Sequence, residues 1–271
     1  MSPTLSLTVP CYNEAARLDA GAFVAALTRH PFLSFLFVDD GSRDDTRRVL
    51  ADLCARGGER ARVLALDANV GKAEAVRRGI LHALQGNPQL FGYWDADLAT
   101  PLEAIPDFLA LLGKRPEIDI VLGARVQLLG RQIRRRSTRH YSGRMFATGA
   151  SLVLGLPVYD TQCGAKIFRA CDHTRVAFLR PFRTRWVFDV EILARYLEAY
   201  RCTAGGADRI YELSLHCWTD VPGSKLGMTE MLGAGVDLLT LYVRASLARH
   251  DPAAVAPQPA AANLRWFGRR S

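Results

Sequence analysis

The sequence predicts an α/β fold, a mostly parallel sheet flanked by helices. Three observations predict it. Short apolar runs alternate with helix-period segments through the first half, and the polar clusters of that half fall at the ends of the apolar runs. The chain has 271 residues, 49% of them hydrophobic, which is enough to bury a sizeable core.

The elements follow in order. "LSLTV" (5–9), "FLFV" (35–38), "RVLAL" (62–66), "LFGYW" (90–94) and "DIVLG" (119–123) read as five buried strands. Between them, apolar residues recur at helical spacing: Phe23 and Leu27; Val49, Leu50 and Leu53; Val76, Ile80 and Leu84. Further on, a basic loop and a helix (about 137–154) lead to "VYDTQCGAKIF" (158–168), to which no element is assigned. A helix over 187–200 and a strand over 210–218 follow. A last helix over 226–249 would carry Met228, Met231, Leu232, Val236, Leu239, Tyr242, Val243 and Leu247 on an apolar face. One domain is expected over 1–250, with halves of about 1–124 and 125–250, and an Ala- and Pro-rich disordered tail over 251–271.

In such a sheet ligands bind at the carboxyl ends of the strands. "PCYNE" (10–14), "DDGS" (39–42), "NVGK" (69–72) and "DAD" (95–97) stand at four of those ends. Asp95 and Asp97, one residue apart, would share a strand face about 7 Å apart along the chain, where they repel unless a cation or solvent intervenes. There is no GxGxxG after the first strand and no GxxxxGK[ST], so dinucleotide and P-loop solutions are disfavoured. A divalent Mg²⁺ or Mn²⁺ held by carboxylates beside phosphates is the remaining solution for a nucleotide.

The net charge of +8 points to an anionic partner, and seven arginines without an acid lie between Arg125 and Arg144. A nucleic-acid partner is disfavoured, because aromatics do not alternate with these arginines as stacking platforms would. Six scattered cysteines without a CxxC pair read as reduced thiols in a cytoplasmic protein. No basic n-region precedes an apolar run at the N-terminus, and no stretch is apolar and long enough to span a bilayer.

"VPCYNE", "VDDGS", "NVGKAEAVRRG" and "DADLATP", in this order, resemble the family 2 inverting glycosyltransferases of the GT-A, Rossmann-like fold. "DTQCGAKIF" (160–168), "RWVFDVEIL" (185–193) and a tryptophan followed by "VPGSKL" (221–226) are similar to dolichyl-phosphate β-glucosyltransferases and their bacterial polyprenyl-phosphate relatives. The resemblance covers residues 5 to about 245 and implies an acceptor-side helical extension.

The resemblance implies the following roles. Pro10, Tyr12 and Glu14 would line the base pocket, Asp39 would bond the base or ribose, and Asn69, Gly71 and Lys72 would lie along the sugar nucleotide, with Lys72 at its phosphates. Asp95, Ala96 and Asp97 would form the DxD stretch, with Asp95 and Asp97 on the metal, while Asp40 and Ser42 fix a turn. Arg125, Arg139 and Ser142 would take the acceptor phosphate. Asp160, Asp189 and Glu191 would face the sugar or acceptor, supported by Lys166. Ala99, where mannosyl relatives often carry Gln, favours UDP-glucose over GDP-mannose.

The reaction so implied is metal-dependent transfer of a hexose from a UDP-sugar to a polyprenyl phosphate with inversion. It would take place at the cytoplasmic face of a membrane that the chain touches peripherally through its basic loop and an apolar helix. A soluble enzyme with a non-lipid acceptor and a GDP-mannose-using enzyme are the alternatives.

Overall fold

The structure is a computed structural model that describes residues 4–134, 137–200, 205–221 and 228–250, the side chains of 134–145, 228–232, 245 and 247–250 excepted. The expected tail, 251–271, lies outside these residues. All five expected strands form, within two residues of the anticipated ends: β1 (Leu5–Cys11), β2 (Leu33–Asp39), β3 (Ala61–Ala65), β4 (Leu90–Trp94) and β5 (Ile120–Ala124). Helices α1 (Ala20–Arg29), α2 (Thr46–Gly57), α3 (Lys72–Ala83) and α4 (Ile105–Lys114) connect them. Asp19 caps α1, its Oδ1 accepting the Ala22 N–H at 3.0 Å.

The second half adds β6 (Gln132–Arg134), α5 (Ser137–Leu154), β7 (Ala165–Arg169), α6 (Asp172–Leu179), α7 (Phe188–Ala199), β8 (Ile210–Ser214), β9 (Cys217–Thr219) and α8 (Met228–His250). The main sheet runs β3-β2-β1-β4-β7-β5-β8, with β6 and β9 as a separate pair. β7 is antiparallel to both neighbours, β4 and β5. The sequence reading assigned no strand here. Gly92 admits the insertion, because a Cβ there would lie 2.1 Å from the Lys166 carbonyl oxygen.

Helices cover both faces. On one side Phe23 of α1 meets Phe35 and Phe37 of β2 edge-on, with centroids 5.0 and 5.1 Å apart, over Leu7, Val9 and Leu50. On the other, Phe91 and Phe168 stack at 5.3 Å over Val76, Ile80, Phe178 and Leu193. Burial of both faces at β1, β2, β4 and β5 explains why these strands read as continuous apolar runs rather than alternating ones, whereas β3, at the sheet edge, is not buried as expected and exposes Arg62, Val63 and Ala65.

One further expectation is corrected. The single strand expected over 210–218 is divided, because Leu215 N–H bonds Ala124 O while His216 O accepts from Gln132, so the chain passes from the main sheet to the small one. The apolar face expected on α8 is exposed where its side chains are described: Val236, Leu239, Tyr242 and Val243 are 65%, 62%, 43% and 47% exposed, while the side chains of Met228, Met231, Leu232 and Leu247 lie outside the described residues. On another side of the helix Leu241 is buried, and Leu238 packs on α5, its Cδ1 3.1 Å from where a Cβ on Gly149 would sit. Glycine lets the helices approach there, and that contact sets the rotation of α8.

Candidate active site

Register brings the polar clusters to one edge. Cys11 of β1 lies opposite Asp39 of β2, which lies opposite Ala65 of β3. Tyr93, two residues before Asp95, lies opposite Thr8 of β1. The stretches after β1, β2, β3 and β4 therefore converge, and so do the expected nucleotide residues Pro10, Tyr12, Glu14, Asp39, Asn69, Gly71, Lys72, Asp95 and Ala96.

Hydrogen bonds tie these loops together. Asp40 is buried, and its two oxygens accept from Val70 N–H (2.7 Å) and Gly71 N–H (2.9 Å), fixing the loop before α3. Ser42 Oγ accepts the Asn13 N–H, Thr46 Oγ1 accepts the Glu14 N–H, and the Asn69 side chain donates to Asp40 O. Asp39 is fully buried between the Ser42 N–H and Arg47 Nε, each 3.1 Å away. Glu14 pairs with Arg17 at 2.5 Å.

At the end of β4, Asp95 Oδ1 is 2.5 Å from Lys72 Nζ at the first residue of α3. Asp97 Oδ1 accepts the Ala99 N–H, and Leu98 adopts a left-handed φ of 51° to close the turn. Burial, followed by the charge of Asp95, pushes the Asp97 carboxyl above the usual carboxylate range. Desolvation opposes the Lys72 ammonium, but Asp95, Asp189 and Asp97 together hold its pKa above the ordinary lysine value.

Asp95 and Asp97 fit a divalent cation. They stand one residue apart, and their mutual repulsion is what a cation would remove. Gly164 keeps Asp95 in place, since a Cβ there would lie 1.9 Å from Asp95 Oδ2, and its carbonyl accepts the Asp95 N–H at 2.9 Å. Among the described residues no group of three His, Cys, Asp or Glu side chains could hold a metal. A cation here would therefore complete its shell from phosphate oxygens and water, as Mg²⁺ does.

The other expected site residues divide. Asp189, at the start of α7, accepts from the Tyr93 hydroxyl and from the fully buried Lys166 at 2.5 Å. Lys166 also donates to Cys163 O, so Asp189 is held rigidly within reach of the Lys72 charge. Asp160 is paired with Arg125, and its own N–H and that of Tyr159 donate to Glu212. Two residues each expected to face a substrate thus bind one another.

Glu191 is placed otherwise than the resemblance implies. Its carboxylate accepts from Arg183 N–H, Thr184 N–H, Thr184 Oγ1 and, at 2.7 Å, Arg195 Nη2. At 3% exposure it is occupied in holding the 183–184 segment rather than turned toward a ligand. Arg139 and Ser142 lie three residues apart on α5, hence on one helix face, and their side chains lie outside the described residues.

Sequence reasoning missed Gly164, whose only signal was its place in "DTQCGAK", and the anchoring reach of Asp40. It also missed Asp237 of α8, which accepts the N–H groups of Arg185 (3.1 Å) and Trp186 (3.2 Å). Nothing in the local pattern marks that residue.

The chain is 35% identical over 266 residues to human dolichyl-phosphate beta-glucosyltransferase, covering 90% of this chain and 76% of that protein. It is 34% identical to the Drosophila melanogaster dolichyl-phosphate beta-glucosyltransferase over the same shares. Among solved structures it resembles Mycobacterium tuberculosis glucosyl-3-phosphoglycerate synthase, with a TM-score of 0.62 at 18% identity over 90% of this chain and 80% of that one. A complex of that synthase with Mn²⁺, UDP and glucosyl-3-phosphoglycerate gives a TM-score of 0.59 at 19% identity, again over 90% and 80%. At that identity the likeness is one of fold, and it supports the GT-A architecture. The model described as glycosyl transferase family 2 matches residues 6–173, and with the relatives above it shows that this chain belongs to glycosyl transferase family 2.

Proposed function

We propose that the protein transfers glucose from UDP-glucose to a polyprenyl phosphate with inversion, giving a β-linked lipid-phosphate sugar. The observation that carries this reading is the Lys72–Asp95–Asp97 cluster at the ends of β4 and the β3–α3 loop, in a chain whose relatives act on dolichyl phosphate by name. Pro10, Tyr12 and Glu14 surround the base and ribose, with Asp39 buried beneath them holding the turn, and Asn69, Gly71, Lys72 and Ala96 follow the diphosphate.

Asp95 and Asp97 would hold Mg²⁺ or Mn²⁺. Such an ion, when bound, stabilises the charge developing on the departing diphosphate. Lys72 adds a fixed cation on the same side. The acceptor brings its own nucleophile, a phosphate oxygen largely ionised at pH 7, so no strong general base is required. That oxygen attacks the anomeric carbon in line as the bond to the UDP oxygen breaks, and the configuration inverts. Asp189, immobilised by Lys166 and Tyr93, orients the sugar. Arg139, Ser142 and the part of the Arg125 fork not engaged by Asp160 position the acceptor phosphate.

Membrane contact is peripheral in this reading, at the cytoplasmic face. No described helix is long and apolar enough to cross a membrane. The exposed Val236, Leu239, Tyr242 and Val243 of α8, and the basic run 125–144, supply apolar and cationic contact with an anionic lipid surface.

The test is UDP release from UDP-glucose with Mn²⁺, with and without a short polyprenyl phosphate in vesicles. Release that depends on the lipid phosphate supports the proposal. Release driven equally by a water-soluble acceptor, or a preference for GDP-mannose, overturns the acceptor or the donor respectively.

A further inference from the structure

A cleft of about 260 Å³ opens between the start of α3 and the segment leading into α7, lined by Asn69, Gly71, Glu74, Phe182, Arg183 and Arg185 among others. Its charge is unbalanced. Glu74 is taken up by Arg77 at 2.7 Å and Arg78 at 2.9 Å. Arg183 and Arg185 are exposed, and among the described residues neither guanidinium has a carboxylate partner.

The main chain beneath them is held from two directions. From α7, Glu191 accepts the N–H groups of Arg183 and Thr184. From α8, Asp237 accepts those of Arg185 and Trp186, and Trp186 lies against Gly233, its Cδ1 3.3 Å from where a Cβ would sit. Two carboxylates therefore act on backbone while two adjacent side-chain cations are left without a carboxylate. The Arg185 guanidinium also lies over the Trp186 ring at 5.6 Å, so the arrangement fixes where the cation stands while its N–H groups remain open to an anion.

Arg185 stands at the donor edge. Its Nε is 3.7 Å from the position a Cβ on Gly71 would occupy, and Gly71 immediately precedes Lys72, the partner of Asp95. We propose that Arg185 is a further donor-binding residue, contacting the diphosphate of the nucleotide sugar beside Lys72, and that Asp237 is its positioning residue. The inference rests on the sugar-nucleotide reading above. Guanidinium matches phosphate oxygens in both geometry and charge.

The experiment measures calorimetric affinity of the full chain with Mn²⁺ for UDP and for uridine. Wild type binding UDP establishes the parent reading separately; its failure to bind UDP overturns both. For Arg185→Gln, UDP affinity is expected to fall about ten- to a hundredfold while uridine affinity holds. Asp237→Leu should lower UDP affinity in the same direction, and Asp237→Asn, which keeps an acceptor oxygen, should recover it. The double variant Arg185→Gln/Asp237→Leu should be no weaker than Arg185→Gln alone. Unchanged UDP affinity in Arg185→Gln overturns the inference and leaves the parent reading standing. Equal loss of UDP and uridine makes Arg185 a structural residue, and a rise confined to the KM for lipid phosphate assigns it to the acceptor. Both results overturn the inference.

Discussion

The guanidinium of Arg125 and the carboxylate of Asp160 lie edge to edge, with Nε 2.6 Å from Oδ2 and Nη2 2.7 Å from Oδ1, and Oδ2 also accepts the Arg125 backbone N–H at 2.9 Å. The Arg125 fork lies over the Trp218 ring at 5.2 Å, joining the end of β5 to β9. This two-point pair across 35 residues is a structural joint as well as part of the proposed acceptor side.

Breaking a buried pair on one side leaves an uncompensated charge, which costs about 3–5 kcal/mol. Asp160→Ala and Arg125→Ala should each lower stability by that order in urea unfolding. The double variant should lose clearly less than the sum, because removing both leaves no orphaned charge. Strict additivity would show that the two groups are not coupled.

Gly164→Ala tests the metal stretch without substituting a carboxylate. The added Cβ would meet Asp95 Oδ2 at 1.9 Å, so the carboxylate must swing away. We expect turnover to fall at least tenfold, about 1.4 kcal/mol of barrier, with Mn²⁺-dependent UDP binding weakened in parallel. Calorimetry with Mn²⁺ and with EDTA checks it; equal UDP affinity in both would remove the metal from the scheme.

Asp97→Asn removes charge at nearly constant shape. An oxygen remains to accept the Ala99 N–H, so the turn at Leu98 should persist and far-UV circular dichroism should not change. Turnover is expected to fall well beyond tenfold. A smaller loss would make Asp97 a turn residue.

Alkaline stability follows from buried thiol and phenol groups. Burial raises the Cys11 thiol well above its usual range, with Glu14 and Asp39 adding to it, and burial with the Asp119 hydrogen bond does the same for the Tyr196 phenol. A folded-state pKa above the unfolded one means that the native state retains protons the unfolded chain releases. The stabilisation is complete below the unfolded thiol pKa of about 8.5 and is lost as pH rises beyond it. Thermal melts should be flat with respect to these groups up to about pH 8 and decline above about pH 9. Alkylation at pH 8 should leave Cys11 unlabelled until the protein unfolds; ready labelling in the native state would contradict its burial.

The exposed face of α8 gives a membrane test. Replacing Val236 and Leu239 together by Ser should weaken binding to anionic vesicles while leaving UDP affinity unchanged, since both side chains point to solvent. Vesicle co-sedimentation at two ionic strengths separates this apolar contribution from that of the arginines, which salt screens. Undiminished sedimentation would remove α8 from the contact.

Local pattern alone makes legible the five strands of the first half, the helices between them and the clusters at their ends, because buried parallel strands and amphipathic helices write local periodicities. The Asp95–Asp97 pair and Lys72 are likewise visible there from residue type and place. Packing was needed to show that β7 runs antiparallel between β4 and β5, since "AKIF" states no direction and its place depends on Gly92 far along the chain. It decided that α8 turns Leu238 and Leu241 inward, because the choice among apolar stripes is made by Gly149 on another helix. It decided that Arg125 meets Asp160 and that Glu191 holds the 183–184 backbone. A side chain's type limits what it can bind, but its partner is whichever group the packing brings within about 3 Å, and those groups lie 35 residues away for Arg125 and across a loop for Glu191.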